Sequence, residues 1–462
     1  MRIGIVGGGI SGLATAHFLS RLRGAGGTVP EIFLLERSGR LGGVAHSIRE
    51  DGFLMERGPD AFSKESPALR KLLDAIDMEH ELIQISPQGR KVSVLGQGGL
   101  RMLPEGMAFL TPVSPASFWT TAPLSRRGKL RAMMEPLIPR QSGDSGLRDF
   151  FERRLGREFT AKIAAPLLCG IYVRGWDQLS VRSNLPFLYL AQRRYGSLYR
   201  GMRRLRNGSG GPSLFSCRNG ISALVEALEA SLAGVRIFRE SGPVSLLDRG
   251  DGFRLRGKDL EIGVDAAVLA CPAAAAAEIL SETNSAAASQ LREIPYRSSI
   301  LIYLAYRQDQ IGRPLEGSGF VSASETGQCI SACTVASRKL EGRAPDGMVL
   351  IRCSIRNPEW FEESQQRAVS DCVHEELREV MGISGSPQFV RVFRKKNAVP
   401  QLNVGHYTRM KRIEEALERR PGIYLTGAYC AGAGIPSCVT SAESTAEKVL
   451  RFPRERKGRK SP

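Results

Sequence analysis

The stretch Ile3-Gly4-Ile5-Val6-Gly7-Gly8-Gly9-Ile10-Ser11-Gly12-Leu13 decides the fold of this chain. Ile3 to Val6 is a short apolar run of the kind that forms a buried parallel strand. Leu13 to Leu22 reads as a helix. Between them lies G-x-G-x-x-G at Gly7, Gly9 and Gly12. Each glycine has a physical reason. Gly7 makes the tight turn, Gly9 lets a pyrophosphate approach the backbone, and Gly12 lets the helix pack close to the strand. Ile10 and Ser11 open the helix, where free N–H groups and the helix dipole favour a phosphate. A second apolar run, Ile32 to Leu35, ends in Glu36, the acidic residue expected on the adenosine ribose hydroxyls. The loop Arg23 to Glu31 is longer than usual, so Glu36 arrives late. A glycine turn without a ligand is the alternative. The complete strand, turn, helix, strand and acid context argues against it.

Downstream, Arg37 and the segment Arg40-Leu41-Gly42-Gly43 distinguish FAD from NAD. An R-x-G-G at this distance from Glu36 resembles the large group of FAD enzymes that includes amine oxidases, phytoene desaturases and protoporphyrinogen oxidases. A guanidinium beside a diphosphate is a charge-assisted donor, and the two glycines let backbone approach the flavin. A basic surface turn is the plainer reading of the same residues.

At 462 residues the chain holds two or three domains with ample cores. Its 42% hydrophobic and 24% charged content is that of a globular protein. No stretch approaches the roughly 20 apolar residues of a membrane span, and the opening strand leaves no room for a leader peptide. The nine cysteines are scattered without a C-x-x-C, and the five histidines stand apart from them. A reducing cytoplasm and no metal site are expected. The net charge of +18 gathers at Arg126–Arg131, Arg193–Arg194, Arg200–Arg206, Lys395–Lys396 and Arg451–Lys460. A solvated basic face, anionic lipid and a carboxylate-bearing substrate all suit it. Nucleic acid does not, because no binding motif or aromatic interleaving accompanies the charge.

The domains are discontinuous. Residues 1–65, 213–270 and 416–452 are expected to build one FAD-binding domain. The intermediate segments are a helix-rich domain, 66–205, and a sheet domain for substrate, 271–415. A disordered basic tail, 453–462, closes the chain. The fold class is thus α/β: a Rossmann-like FAD domain, a mixed-sheet substrate domain and a helical domain. Gly242 to Leu247, which carries Val244, is one returning β segment. The last return is Gly422 to Ala428, then Gly432-Ala433-Gly434-Ile435-Pro436 and a helix with Val439, Ala442, Ala446, Val449 and Leu450 on one face. Its N-terminus would favour negative charge on a reduced flavin, which brings Gly427, Ala433, Gly434 and Ile435 to the cofactor. The apolar stretch Gly106 to Thr121, followed by Arg126, suits either a surface membrane anchor or a pocket wall.

These motifs in order resemble protoporphyrinogen oxidases of the bacterial HemY type, a group that includes coproporphyrinogen oxidases. Glu56-Arg57-Gly58-Pro59-Asp60-Ala61-Phe62 is similar to the family's E-x-G-P-x-S-F. Pro166 to Tyr172 is similar to its PLLSGIY segment, Pro400-Gln401 with Gly405-His406 to its PQYxxGH, and Gly427 to Cys438 to its terminal flavin motif. Three departures stand out: Val173-Arg174-Gly175 in place of A-G-D, Ser437 in place of an aspartate, and Lys395 near a usual aromatic position.

The resemblance implies an FAD oxidase acting on a porphyrinogen by three two-electron hydride transfers to flavin. A single dinucleotide fingerprint makes molecular oxygen the first choice of acceptor and a quinone the second. No dedicated acid or base is implied, since orientation against the flavin suffices. Gly58, Pro59, Asp60, Ala61 and Val244 join the cofactor set. Gly170 would line the space over the flavin, with a helix C-cap as its structural alternative. Arg90, Lys91 and Arg174 are candidates for substrate carboxylates, with solvated surface charge as the alternative. His46 and His406 read as structural. Contact with the inner face of the cell membrane, a ferrochelatase and a second copy of the chain are the partners left open. A flavin amine oxidase of the same fold and a non-catalytic flavin-binding protein are the rival readings. The basic chain argues against a cationic amine substrate.

Overall fold

The computed structural model describes all residues except 22–28, 97–98, 104–106, 109, 113, 115, 117, 120–122, 173–174, 206–212, 324–327, 363 and 459–462. Arg174, much of the stretch 106–121 and the end of the basic tail lie outside the described residues.

Strand Arg2–Val6 sits at the centre of a five-stranded parallel sheet. The order is Val235–Phe238, Glu31–Leu35, Arg2–Val6, Ala266–Leu269, Ile423–Leu425. Both opening strands are exposed at their first residue and buried at the next four, as parallel strands covered on both faces must be. On one face Ile3 and Ile5 pack with Leu13 and Ala16 of helix Ile10–Arg21 and with Val439, Ala442 and Ala446 of the closing helix Ile435–Gly458. On the other, Val6, Phe33 and Leu35 pack under the antiparallel meander Ser245–Asp248, Phe253–Gly257, Leu260–Val264 and helix Ala273–Ile279. The meander presses on the central strand: a Cβ on Gly4 would lie 2.2 Å from Leu255 Cδ1. Each large apolar side chain buried here contributes about 1.5–3 kcal/mol. Loop-closure cost grows only slowly with loop length. Three distant parts of the chain can therefore share one core.

The first helix starts at Ile10, three residues before Leu13, because Leu13 N–H already donates to Gly9 O at 3.0 Å. The closing helix continues to Gly458, through positions read from sequence as unstructured.

A second, mixed sheet has seven strands in the order Phe389–Pro400, Tyr296–Arg307, Met348–Ile355, Ile330–Val335, Gly319–Ser322, Val92–Gly96, Gly99–Met102. The last two come from the stretch expected to be helix-rich. Val92–Gly96 pairs in parallel with Gly319–Ser322, and so distant a partner leaves no periodic trace in sequence. Helix Gln366–Met381 covers this sheet with Val369, Val373, Leu377 and Met381, one per turn. The helical part, including Leu147–Leu155, Ala165–Tyr172, Pro186–Tyr195 and Leu198–Leu205, closes around Phe150, Phe151, Phe159, Leu168 and Leu188. A buried ion pair lies inside it, with Arg154 Nη1 3.0 Å from Glu135 Oε1. No helix among the described residues is long and apolar enough to cross a membrane.

Candidate functional site

The glycine turn has the geometry its spacing requires. Gly7 has φ +110°, and a Cβ there would lie 2.9 Å from Ala270 C and O. A Cβ on Gly12 would lie 1.9 Å from Gly7 O, so helix and strand touch through bare backbone. Gly9 is different: a Cβ there would meet nothing nearer than Gly43 Cα at 4.0 Å. Gly9 therefore borders an open groove whose other wall is Gly42-Gly43, tied across by Gly42 N–H to Gly8 O at 2.8 Å. The N–H groups of Ile10, Ser11 and Gly12 lie in the first helical turn, where no intrahelical acceptor exists.

Glu36 is anchored beside this turn. Its carboxylate accepts from Gly8 N–H at 2.7 Å, Ser38 N–H at 2.8 Å and Ser38 Oγ at 2.7 Å. Arg37 is exposed next to it. Arg40 donates to Leu41 O at 2.8 Å and Gly43 O at 2.7 Å. It therefore braces the Leu41–Gly43 turn with two of its five N–H groups.

The motif Glu56 to Ala61 is held mainly by residues that sequence reading did not single out. Tyr303 Oη, on the mixed sheet, both accepts from Glu56 N–H and donates to Glu56 O, each at 2.9 Å. The buried Glu56 carboxylate accepts from Ser47 Oγ at 2.6 Å and Ile221 N–H at 3.1 Å, with Arg343 Nη2 3.7 Å away. Burial pushes the Glu56 carboxyl up, against the pull of Ser47, Arg343 and Ile221. Gly58 has no room for a side chain, since a Cβ would lie 2.1 Å from Val44 O. Its carbonyl accepts from Arg352 Nη2 at 2.9 Å. Asp60 pairs with Lys339 Nζ at 2.7 Å and Arg352 Nη1 at 3.7 Å. Burial alone would raise the Asp60 carboxyl, but the two cations hold it well below the usual carboxylate range. None of the four carries a local motif: Tyr303 and Arg352 stand on strands of the mixed sheet, and Lys339 and Arg343 on the connection between two of them.

The last return of the chain completes the groove. Gly427 and Gly432 have φ of +136° and +108°. Ala433 and Gly434 are exposed, and Ile435 is buried at the start of the closing helix. That helix packs along Ile10–Arg21, with Ile435 and Cys438 in the same buried cluster as Ile10. Two helix N-termini therefore meet at one place, concentrating partial positive charge. His406 is structural here: buried, with Nε2 2.8 Å from Tyr429 O. His46 stands 3.5 Å from Arg57 Nη1. Val244 is half-buried just before strand Ser245–Asp248. Open backbone at Gly9 facing the Gly42-Gly43 turn, an anchored acid at Glu36 and paired helix N-termini fit an extended dinucleotide carrying a diphosphate.

The substrate candidates are more dispersed. Gly170 lies inside helix Ala165–Tyr172 rather than at its end. A Cβ there would meet Val321 Cγ1 at 2.9 Å, so close packing of helix on sheet accounts for the glycine, and a C-cap does not. Arg90 ends a short turn, Gln88–Arg90, and exposed Lys91 precedes strand Val92–Gly96, the neighbour of the strand that carries Val321. Arg174 lies outside the described residues. Beside it, Gly175 has φ +88°, and a Cβ there would lie 3.5 Å from Arg297 Nη2. Arg297 is a basic side chain that sequence reading missed.

Residues 10–450 match the flavin containing amine oxidoreductase family. The chain is 31% identical to the coproporphyrinogen III oxidase of Bacillus subtilis over 97% of both proteins. It is 25% identical to the protoporphyrinogen oxidase of Bos taurus, over 96% of this chain and 98% of that protein. A crystal structure from Exiguobacterium sp. 255-15, provisionally described as a protoporphyrinogen oxidase, superposes with a TM-score of 0.83 at 30% identity, covering 97% of this chain and 98% of that one. FAD is the cofactor that this family and this groove have in common. The chain belongs to the flavin containing amine oxidoreductases.

Proposed function

We propose that this chain oxidises a porphyrinogen to the porphyrin in heme biosynthesis, with coproporphyrinogen III or protoporphyrinogen IX as substrate. The observation that carries this reading is the end-to-end likeness to a coproporphyrinogen III oxidase, joined to a groove built for FAD. Bound FAD supplies a two-electron acceptor, and a porphyrinogen gives up six electrons. Gly7, Gly9, Ile10, Ser11 and Gly12 would hold the diphosphate, with Arg37, Arg40, Gly42 and Gly43 on its other side. Glu36 would hold the ribose and Val244 would flank the adenine. Gly58, Pro59, Asp60, Ala61, Gly427, Ala433, Gly434 and Ile435 would hold the flavin end. Gly170 would border the substrate, and Arg90, Lys91 and Arg174 would meet its carboxylates.

Coproporphyrinogen III is our first choice. It carries two more carboxylates than protoporphyrinogen IX, and the chain carries a net charge of +18. Molecular oxygen is the proposed electron acceptor, ahead of a quinone. A membrane-facing surface is favoured by Leu130, 56% exposed, and Leu137, 72% exposed, beside Arg126, Arg127 and Lys129. Exposed Trp119 is tied to the same helix by Lys129 Nζ donating to its carbonyl at 2.6 Å. A ferrochelatase, which consumes porphyrin, or a second copy of the chain is the proposed protein partner.

The test is aerobic turnover of the FAD-loaded protein with each porphyrinogen separately, read by porphyrin fluorescence. Oxidation well above the spontaneous rate is expected, faster with coproporphyrinogen III. Full FAD occupancy with neither substrate accelerated, under oxygen or with a quinone added, would overturn the reading.

A further inference from the structure

Helix Gln366–Met381 covers the mixed sheet with one face. Cys372 and Glu376 lie four positions apart on it, so one stands above the other on the same side. Cys329 comes from a different element, immediately before strand Ile330–Val335. The fold brings the two sulfurs and a Glu376 oxygen within 4.8 Å of one another. Cys329 is buried, while Cys372 and Glu376 are half-buried at the rim. The Glu376 carboxylate is already oriented, because it accepts from the backbone N–H of Cys329 and, at 3.0 Å, of Ile330. Cys333 and Cys353 face each other across neighbouring strands and do not belong to this group.

We propose that Cys329, Cys372 and Glu376 form a binding site for a thiophilic divalent cation, with zinc as the best fit. The donor set decides the metal. Two thiolates exclude magnesium and calcium, which take oxygen ligands. Two sulfurs and one carboxylate are three of the four ligands of a tetrahedral zinc centre, and the open rim leaves the fourth to solvent. The backbone N–H groups on Glu376 serve as the outer shell that orients a metal ligand. Arg356, whose charge reaches Glu376, and the dication together balance three anionic ligands. The bound ion would clip the helix to the start of the strand, far from the flavin groove in sequence and independent of its chemistry.

The experiment uses FAD-loaded protein, treated with a chelator and kept reduced with a phosphine. Zinc is titrated against a chromophoric competitor, and cobalt serves as a spectroscopic probe. We expect one zinc ion per chain, a rise in the thermal midpoint on binding, and thiolate-to-cobalt charge-transfer absorption. C372S, at the half-buried rim, should keep its FAD and its fold while losing zinc affinity at least about 100-fold, since even outer-shell changes cost 10- to 100-fold. E376Q should weaken binding while keeping the cobalt–thiolate band. Two results would overturn the proposal: wild type that binds no more zinc than C372S, or stoichiometric zinc retained in both variants. If C372S fails to fold, the same two readings on E376Q and C372A decide.

Discussion

Gly9 and Gly12 belong to one motif, but their structural surroundings differ, and the difference predicts opposite behaviour on substitution. In G12A the new methyl would sit 1.9 Å from Gly7 O. An ordinary contact is nearly twice that, and both partners are backbone. The helix must move against the central strand, where Leu13, Ala14 and Ala16 are completely buried. Overpacking of this kind costs about 1–3 kcal/mol, partly offset by the roughly 1 kcal/mol that alanine gains over glycine in a helix. G12A should therefore lose up to about 2 kcal/mol of stability before any cofactor is considered.

In G9A the methyl meets nothing within 4.0 Å, so the apoprotein should be as stable as wild type. Its cost should appear only when a ligand enters the groove. A methyl pressed into a diphosphate costs about 1–3 kcal/mol, a Kd for FAD raised by about 5- to 150-fold. The assay pairs thermal unfolding of both deflavinated variants with FAD titration read by flavin fluorescence. A G9A protein that binds FAD like wild type refutes the placement of the diphosphate against Gly9. A G9A apoprotein destabilised as much as G12A refutes the claim that the groove is open.

Three further outcomes follow from buried charges. K339M leaves Asp60 with Arg352 alone and should weaken FAD binding about fivefold, because a part-buried ion pair is worth about 1 kcal/mol and one cation remains. Asp60 is depressed, so its contribution is complete above the unfolded carboxylate range near pH 4 and is lost as pH falls through its folded value. In K339M that loss should move to higher pH in acid-unfolding curves. His17, buried against Ser231 Oγ at 2.8 Å, is lowered from 6.5 to about 4 by burial first and Arg21 second. The unfolded chain protonates first, so stability is full above pH 6.5 and falls by up to about 3 kcal/mol as pH drops towards 4. H17Q should flatten that slope in urea unfolding at pH 7.5 and 4.5, and an unchanged slope would discredit the assignment. E135Q leaves Arg154 without its buried partner and should cost about 3 kcal/mol, seen in the urea midpoint, while FAD affinity stays at the wild-type value.

Much of the dinucleotide part was legible because its signals are local. A parallel strand buried on both faces must be apolar throughout, a helix packed on it needs glycine at the contact, and a phosphate needs bare N–H groups. Each demand falls on adjacent residues, and Gly7 and Gly12 meet theirs. The return at Gly422 to Ala428 is legible for the same reason, and it forms the edge strand Ile423–Leu425 of that sheet. The mixed sheet was less so. Val92–Gly96 and Gly99–Met102 fall in the stretch whose sequence reads as helix-rich, because a short apolar run has no period long enough to separate strand from helix.

Local pattern in the sequence determined the fold class, the cofactor and the identity of the residues with no side chain to spare. Only the tertiary structure decided which side chains hold the loop at Gly58–Ala61. Lys339 and Arg352 reach Asp60 from more than 270 positions away, and Tyr303 reaches Glu56 across 247. It also brought Cys329 to Cys372 and Glu376 and turned Gly170 against Val321. The physical reason is the same in each case: an ion pair, a hydrogen bond or a packed contact acts over a few ångströms of space. Spacing along a chain reports such contacts only when both partners lie within one turn or one strand.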